Sequence, residues 1–325
     1  MRARLRFLAR RLALAVPTVL FIVIANFVLL HLAPGDAAEV LAGEAGSATP
    51  EMVAQLRQKF GLDQPYHVQL ARYLGRTLTF DLGYSQRQGM SVAELIGKRL
   101  PATLLLMGTT IAIAIGIGVL LGVLAARGLN TWRDRLISVF ALLSYATPLF
   151  WAGLMLIVVF SIKLDWLPTS GMENVAAFYE GPKRIVDIAR HLVLPALTLS
   201  LFYLALYTRL MRAAMLEQSG MDYVTTARAK GLDERTVVFR HILPNALLPV
   251  VTMAGVQVGA LLGGSVVVET VFAWPGLGQL AFDSLFSRDL NLLLGIFFVC
   301  ACLVVVANLL VDIAYTWLDP RIELD

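Results

Sequence analysis

LPATLLLMGTTIAIAIGIGVLLGVLAA, residues 100–126, runs for 27 positions without one Asp, Glu, Lys or Arg. A helix rises ~1.5 Å per residue and the hydrocarbon layer is ~30 Å thick, so roughly 17–25 apolar residues suffice to cross it. Five further charge-free windows pass the same test: 12–35, 136–162, 191–208, 241–268 and 290–311. The next longest run, 270–282, has 13 residues and carries a Pro and two Gly. Six transmembrane helices are therefore expected, in an all-α polytopic membrane protein.

Composition agrees. Of 325 residues 58% are hydrophobic and 15% charged, where soluble domains carry about 25% charged residues. Mean hydropathy is +0.73. Disorder is excluded, and a water-soluble enzyme is disfavoured. Cys300 and Cys302 lie two apart in the sixth window and point to nearly opposite sides of a helix, so they neither bridge nor share a metal.

Orientation follows from the basic residues. Arg2, Arg4, Arg6, Arg10 and Arg11 precede the first window with no acid among them. A signal peptide also starts basic, but its apolar core is usually about 7–15 residues. Leu12 to Ala33 is longer, which favours an uncleaved helix. With six spans both termini share a side. That side holds fifteen Lys and Arg, against five in the short segments opposite. The 32–100 loop adds seven to the opposite side, but long translocated loops barely count in this rule. Both termini are thus expected in the cytoplasm, and the net charge of +4 reflects this bias, not nucleic-acid binding.

The 32–100 segment reads as a small helical cap, with a plain extracellular spacer as the alternative. Pro50 opens an amphipathic stretch with Val53, Leu56 and Phe60 at helical spacing, and Gly61 stops it. Tyr66 to Leu78 places Leu70, Tyr73 and Leu74 on one face. Ser91 and Glu94 form a capping-box pair before a short helix running into Pro101. The implied division is residues 1–33 (tail and first helix), 34–100 (outer insertion), 101–317 (core) and 318–325 (cytoplasmic tail).

Inside the membrane, small residues recur every fourth position. Ala114, Gly118, Gly122 and Ala126 line the second helix, and Gly255, Gly259 and Gly263 the fifth. Such seams let backbones approach closely, so these two helices are expected to pack centrally. Pro148 and Pro195 are expected to bend or start the third and fourth helices. Polar groups at depth are few: Asn26, Gln257 and Asn308. Glu269 and Asp312 stand at window edges, where water is expected to reach them. With no acid or base at mid-membrane, a proton-coupled carrier is disfavoured. Neither a Gly-x-Ser-x-Gly elbow, a His-Glu-x-x-His pair nor a Walker A loop occurs, and His31, His67, His191 and His241 lack ligand spacing.

The segment 217–241, between the fourth and fifth helices, carries the sharpest signal. Asp222 is a candidate N-cap for a short helix from Tyr223 to Lys230, with Gly231 at the C′ position. Asp233 can cap a second helix, flanked by Leu232 and Val237 at staple spacing. The chain then runs through His241, Ile242, Leu243 and Pro244 into the fifth helix. Ala227 and Ala229 keep the first helix thin, which suits insertion into a groove on another protein.

Thr225-Thr226-Ala227-Arg228-Ala229-Lys230-Gly231, followed by Leu243-Pro244, resembles the "EAA" loop of ABC-importer permeases. Thr225, Thr226 and His241 depart from the general pattern. Tyr223 to Gly231 instead resembles the version found in the dipeptide/oligopeptide/nickel branch. Gly61-Leu62-Asp63-Gln64-Pro65, Asp81-Leu82-Gly83, Leu100-Pro101-Ala102-Thr103, Trp166-Leu167-Pro168, Phe272-Ala273-Trp274-Pro275-Gly276-Leu277-Gly278 and Leu318-Asp319-Pro320-Arg321 are also similar to this branch, and the outer insertion is similar to that of its B-type subunit.

The resemblance implies a type I importer permease fold in a bacterial inner membrane. It implies half of a heterodimeric pore with a second six-helix permease, worked by two ATP-binding subunits and fed by an extracytoplasmic binding protein. The chain itself would hold no cofactor, ATP and Mg being bound by partner subunits, and would not be an enzyme. Asp222, Tyr223, Thr225, Thr226, Ala227, Arg228, Ala229, Lys230, Gly231, Leu243 and Pro244 would form the ATPase-coupling loop. Glu269, Trp274, Pro275 and Gly276 would lie near the outer gate or meet the binding protein; a tight turn capping the fifth helix is the alternative. Short peptides are the expected cargo, with nickel chelates or oligosaccharides as alternatives within the same architecture. A stand-alone secondary carrier is the rival class, although such carriers commonly show duplicated halves, and none are visible here.

Overall fold

The computed structural model describes residues 2–32, 38, 39, 42, 49–85 and 87–318. Nearly all of it is helix. The described residues form two compact units: one comprises the chain up to residue 100 together with 280–309, the other 101–279 with the chain from 310 onward.

In the first unit, α1 (Arg2–Leu32) carries the first apolar window as far as Leu32. α2 (Pro50–Phe60) starts where expected. The Thr49 side chain accepts from the Met52 amide, and Gly61 ends the helix at φ 67, a left-handed conformation that a Cβ disfavours. α3 (Tyr66–Leu78) half-buries Leu70, Tyr73 and Leu74 and packs on α1, with Phe27 and Tyr73 ring centroids 5.9 Å apart. A two-strand hairpin, β1 (Tyr84–Ser85) with β2 (Met90–Ser91), was not foreseen. It is pinned by the Ser85 hydroxyl donating to the carboxylate of Asp289, which also accepts from the Leu292 amide at 3.2 Å.

Ser91 caps the next helix as expected, accepting from the Glu94 amide at 3.2 Å. That helix is not short. α4 runs unbroken over Val92–Arg127 with Pro101 inside it. Proline removes one backbone bond, but Ala102, Thr103 and Leu106 immediately after it are buried, so tertiary packing carries the helix through.

In the second unit, the third window is two helices, α5 (Trp132–Ala146) and α6 (Leu149–Leu156), the latter continuing as a π-helical turn to Lys163. They meet at Pro148 with a bend of 106°. α7 (Gly181–Ser219) begins ten residues before its window and carries Pro195 internally. It is the hub of the unit, with Leu199, Tyr203, Tyr207 and Met211 all buried. α8 (Asp222–Ala229) follows, then α9 (Glu234–Val271). α10 (Leu277–Phe286) starts in the 270–282 stretch too short to count as a window, and α11 (Leu290–Leu318) covers the sixth window; residues 280–309 of these two helices belong to the first unit. Among the described residues four helices (α4, α7, α9 and α11) are long and apolar enough to cross a membrane, and the bent pair makes a fifth if taken as one span. The apolar part of α1 is Val16–Leu29.

The two glycine seams differ. A Cβ on Gly118 would stand 2.8 Å from Tyr207 Cβ, and one on Gly122 would stand 2.6 Å from Met211 Cβ, so α4 and α7 touch at backbone distance. On α9, a Cβ at Gly255 would meet Val311 at 2.7 Å, but one at Gly263 would meet nothing within 4 Å. Gly259 is half-buried. The fifth-helix seam is thus filled at Gly255 and open at Gly263. Asp319, Pro320 and Arg321, like Ala33, Pro34 and the tail from residue 319, lie outside the described residues.

Candidate coupling loop

The loop between α7 and α9 is built by local rules. Met221, at φ −77 and ψ 149, is the N-cap of α8, and Asp222 is its first residue. This corrects the assignment of Asp222 as cap: its carboxylate complements the positive end of the helix from inside the first turn. The helix ends as expected. Lys230 is the C-cap and Gly231 follows at φ 76. The Gly231 amide donates to Arg228 O at 2.9 Å and the Leu232 amide to Ala227 O at 3.4 Å. This paired closure is a Schellman motif, which requires a left-handed residue at Gly231.

Two residues later the Asp233 side chain accepts from the Thr236 amide at 3.0 Å. Hydrogen bonding from the Thr236 side chain, and next from its amide, holds the Asp233 carboxyl below the usual carboxylate range. Leu232 and Val237 flank the cap as expected, with Val237 fully buried. Arg228 reaches across the turn with two bonds to Glu234, 2.8 and 3.2 Å. From Glu234 the chain stays helical through a π-helical turn, Val237–Ile242, to Leu243 and Pro244 at the start of the next helical segment. The two helices are thus joined by one glycine turn with a guanidinium–carboxylate brace across it.

α8 is seated on its own chain by Val224 (0% exposed) and Ala227 (5%). Ala227 therefore faces inward. The expectation that it thins a face inserted elsewhere is corrected: its small side chain lets α8 lie close to the body of the protein. Thr225, Thr226, Ala229 and Lys230 are exposed. Tyr223 is partly exposed and donates from its hydroxyl to Gln218 Oε1 at 2.8 Å. The outward face is therefore Thr225, Thr226, Ala229 and Lys230, rimmed by Met221, Tyr223 and Leu232.

The far end of α9 is a second constructed feature. Glu269 is 0% exposed, not water-accessible as its position at a window edge suggested. Past Val271 the chain reverses through Ala273, at φ 46, and folds back over the carboxylate. Glu269 accepts from Thr103 Oγ1 and the Gln279 amide, both at 2.9 Å. Thr103 Oγ1 in turn accepts from the Leu277 amide at 2.7 Å. Together they satisfy two of the orphan donors at the start of α10, the amides of Leu277 and Gln279. Trp274 is fully buried and donates from Nε1 to Ala102 O at 2.9 Å. Gly276 must be glycine, because a Cβ there would lie 2.3 Å from the Glu269 carboxyl carbon. Pro275 is half-buried.

Thr103 enters the sequence reading only within the Leu100–Thr103 stretch and Gln279 not at all, and no local signal marks residues so far apart as partners of one carboxylate. The same holds for Asp134 and Arg212. Arg212 donates from Nε and one terminal nitrogen to the two Asp134 carboxylate oxygens, at 2.7 and 2.8 Å, tying the start of α5 to the C-terminal half of α7. No cluster of metal-ligating side chains occurs among the described residues.

The model for binding-protein-dependent transport system inner membrane components matches residues 118–324, and its N-terminal companion matches residues 4–107. AppB, the oligopeptide transport system permease protein of Bacillus subtilis strain 168, is 42% identical over 318 residues, covering 98% of this chain and 99% of that protein. DdpB, a probable D,D-dipeptide transport system permease protein of Escherichia coli K12, is 41% identical over 312 residues, 91% of each chain. A putative peptide permease protein of Brucella ovis is 42% identical over 98% of this chain and 99% of its own. Among solved structures, an inward-facing form of the MetNI methionine ABC transporter matches with a TM-score of 0.55 at 18% identity, covering 70% of this chain and 97% of the matched one.

Proposed function

The chain belongs to the family of binding-protein-dependent transport system inner membrane components, and we propose that it forms half of the translocation pathway of an importer for short peptides. It is a permease subunit of the ABC-importer type. Its proposed partners are a second permease of the same kind, two ATP-binding subunits that supply the ATP and Mg chemistry, and an extracytoplasmic binding protein. Both termini face the cytoplasm, consistent with the excess of basic residues on that side. Trp274, Pro275, Gly276 and Glu269 would hold the outer end of the pathway near the binding protein.

The observation that carries the coupling role is the joint at Gly231. A driven closure of two ATPases moves substrate only if some rigid element carries the displacement into the membrane. α8 has an exposed polar face for a partner and a buried face on its own chain. One fixed turn then connects it to α9, which continues as helix to the outer side. A push on α8 is therefore transmitted along α9 instead of being absorbed in a slack loop.

Peptide cargo rests on the relatives, whose names concern peptides, oligopeptides and a dipeptide. The test is uptake by the complete transporter in proteoliposomes, offered labelled dipeptides, a nickel chelate and an oligosaccharide in parallel. ATP-dependent accumulation of the dipeptide is expected; accumulation of the chelate or the sugar alone would overturn the peptide reading.

A further inference from the structure

At the break in the third span lies a cavity of about 490 Å³ that the coupling account does not use. Thr147 and Pro148 are extended there, at ψ 126 and 132. Pro148 has no N–H, and among the described residues no backbone bond joins the amides of Leu149, Phe150 or Trp151 to the turn before the break. Unpaired backbone in the middle of an apolar window is intolerable against lipid tails. It is found only where protein or a water-filled space covers it. Protein or a water-filled space must therefore cover the break, and this cavity lies directly against it.

The walls of the cavity are specific. Tyr145, Phe202 and Tyr203 line it beside the hydroxyl-bearing Ser144, Thr147 and Thr198, with Ala260 and Gly264 of α9 opposite. No charged side chain lines it. Tyr145 and Phe202 stack with centroids 4.9 Å apart, and Arg209 caps the stack, its guanidinium carbon 4.6 Å from the Tyr145 centroid. Tyr203 is 4% exposed, and its hydroxyl has no hydrogen-bond partner among the described residues. The hydroxyl lies 3.7 Å from where a Cβ on Gly264, another lining residue, would stand, and a phenol open to a cavity in this way is a donor available to an acceptor. The volume falls within the ~300–1,000 Å³ common for small-molecule sites.

Resting on the peptide reading above, we propose that this cavity is a transit subsite of this chain for an uncharged side chain of the passing peptide. The side chain packs on the Tyr145–Phe202 stack, while the Tyr203 hydroxyl donates to a peptide carbonyl. Apolar and aromatic walls hold such a side chain without demanding a particular one, and one phenol reads the backbone that all peptides share.

The test uses the complete transporter in proteoliposomes with its binding protein unaltered. Initial uptake of dialanine and of diphenylalanine is compared for wild type, Ala260→Phe, Tyr203→Phe and Val256→Phe. Ala260→Phe fills the cavity; it is expected to lower diphenylalanine uptake at least tenfold relative to dialanine. Tyr203→Phe deletes one donor and is expected to lower both about two- to tenfold. Val256→Phe, an exposed position one turn away that does not line the cavity, is expected to change neither. Equal loss of both peptides in Ala260→Phe and Val256→Phe would overturn the subsite, since it would mark a packing surface for a partner or lipid. An unchanged diphenylalanine-to-dialanine ratio in Ala260→Phe would overturn it as well. Wild type importing neither peptide would fail the peptide reading itself, and the subsite with it.

Discussion

Gly231 is where the coupling account is most exposed. At φ 76 it sits in the left-handed region, where a Cβ costs roughly 1–2 kcal/mol. A Cβ added there would meet nothing within 4 Å, so within this chain the cost is conformational, with no steric clash. Abandoning the turn instead would forfeit two backbone bonds, those of the Gly231 and Leu232 amides, at about 0.5–1.5 kcal/mol each. The two penalties are similar, so Gly231→Ala is expected to keep the turn with its advantage over relaxed conformers cut by ~1–2 kcal/mol, a factor of about 5–30 in their ratio. Gly231→Val, β-branched, is expected to fare worse, whereas Gly231→Asn should retain most function because Asn tolerates this conformation. The assay is ATP-driven uptake per assembled transporter, read beside membrane abundance and the ATPase rate that the loaded binding protein stimulates. Uptake should fall in the order Gly, Asn, Ala, Val at unchanged abundance. Wild-type coupling in all three variants would refute the reasoning, and equal loss in Asn and Ala would assign Gly231 to a partner contact instead of a backbone requirement.

The helix seam gives a contrast within one protein. Gly122→Ala is expected to destabilise by about 1–3 kcal/mol through overpacking against Met211 and Thr208 of α7, whereas Gly263→Ala, with open space around it, should leave detergent thermal stability unchanged. Glu269→Ala removes the acceptor for the Gln279 amide and for Thr103; it is expected to cost about 0.5–2 kcal/mol, the usual range for a lost helix cap, and to speed proteolysis of the segment after Val271. Arg212→Ala removes the two guanidinium donors from the nearly buried Asp134 and leaves it only the Asn130 amide and the Ser138 hydroxyl. A loss of ~1.5–3 kcal/mol is expected, largely restored by adding Asp134→Asn if the cost is that of an unpaired charge.

What was legible in the sequence was what local chemistry decides. Pro50 starts a helix and Gly61 ends it because fixed φ and left-handed tolerance act within a few residues, and the same local logic holds at Gly231 and Asp233. Apolar windows located the long helices for the same reason, since bilayer thickness sets their length whatever they pack against. The misreadings came where distant residues decide. Pro101 does not end its helix because buried neighbours hold the next turn. Ala227 faces inward because α8 packs on its own chain. Glu269 is dry because Thr103, far back in α4, and the turn after Val271 close over it. Asp222 was read as a cap because it has the right side chain, yet the backbone places Met221 at that position.

The central claim is that this chain is a passive gate, moved from the cytosol by nucleotide hydrolysis in other subunits. Tracer flux across liposomes tests it most directly, with the chain reconstituted alone, beside its companion permease, and in the full assembly with and without ATP. Accumulation is expected only in the full assembly supplied with ATP. Sustained uptake by the isolated chain, with neither nucleotide nor companions present, would contradict the account.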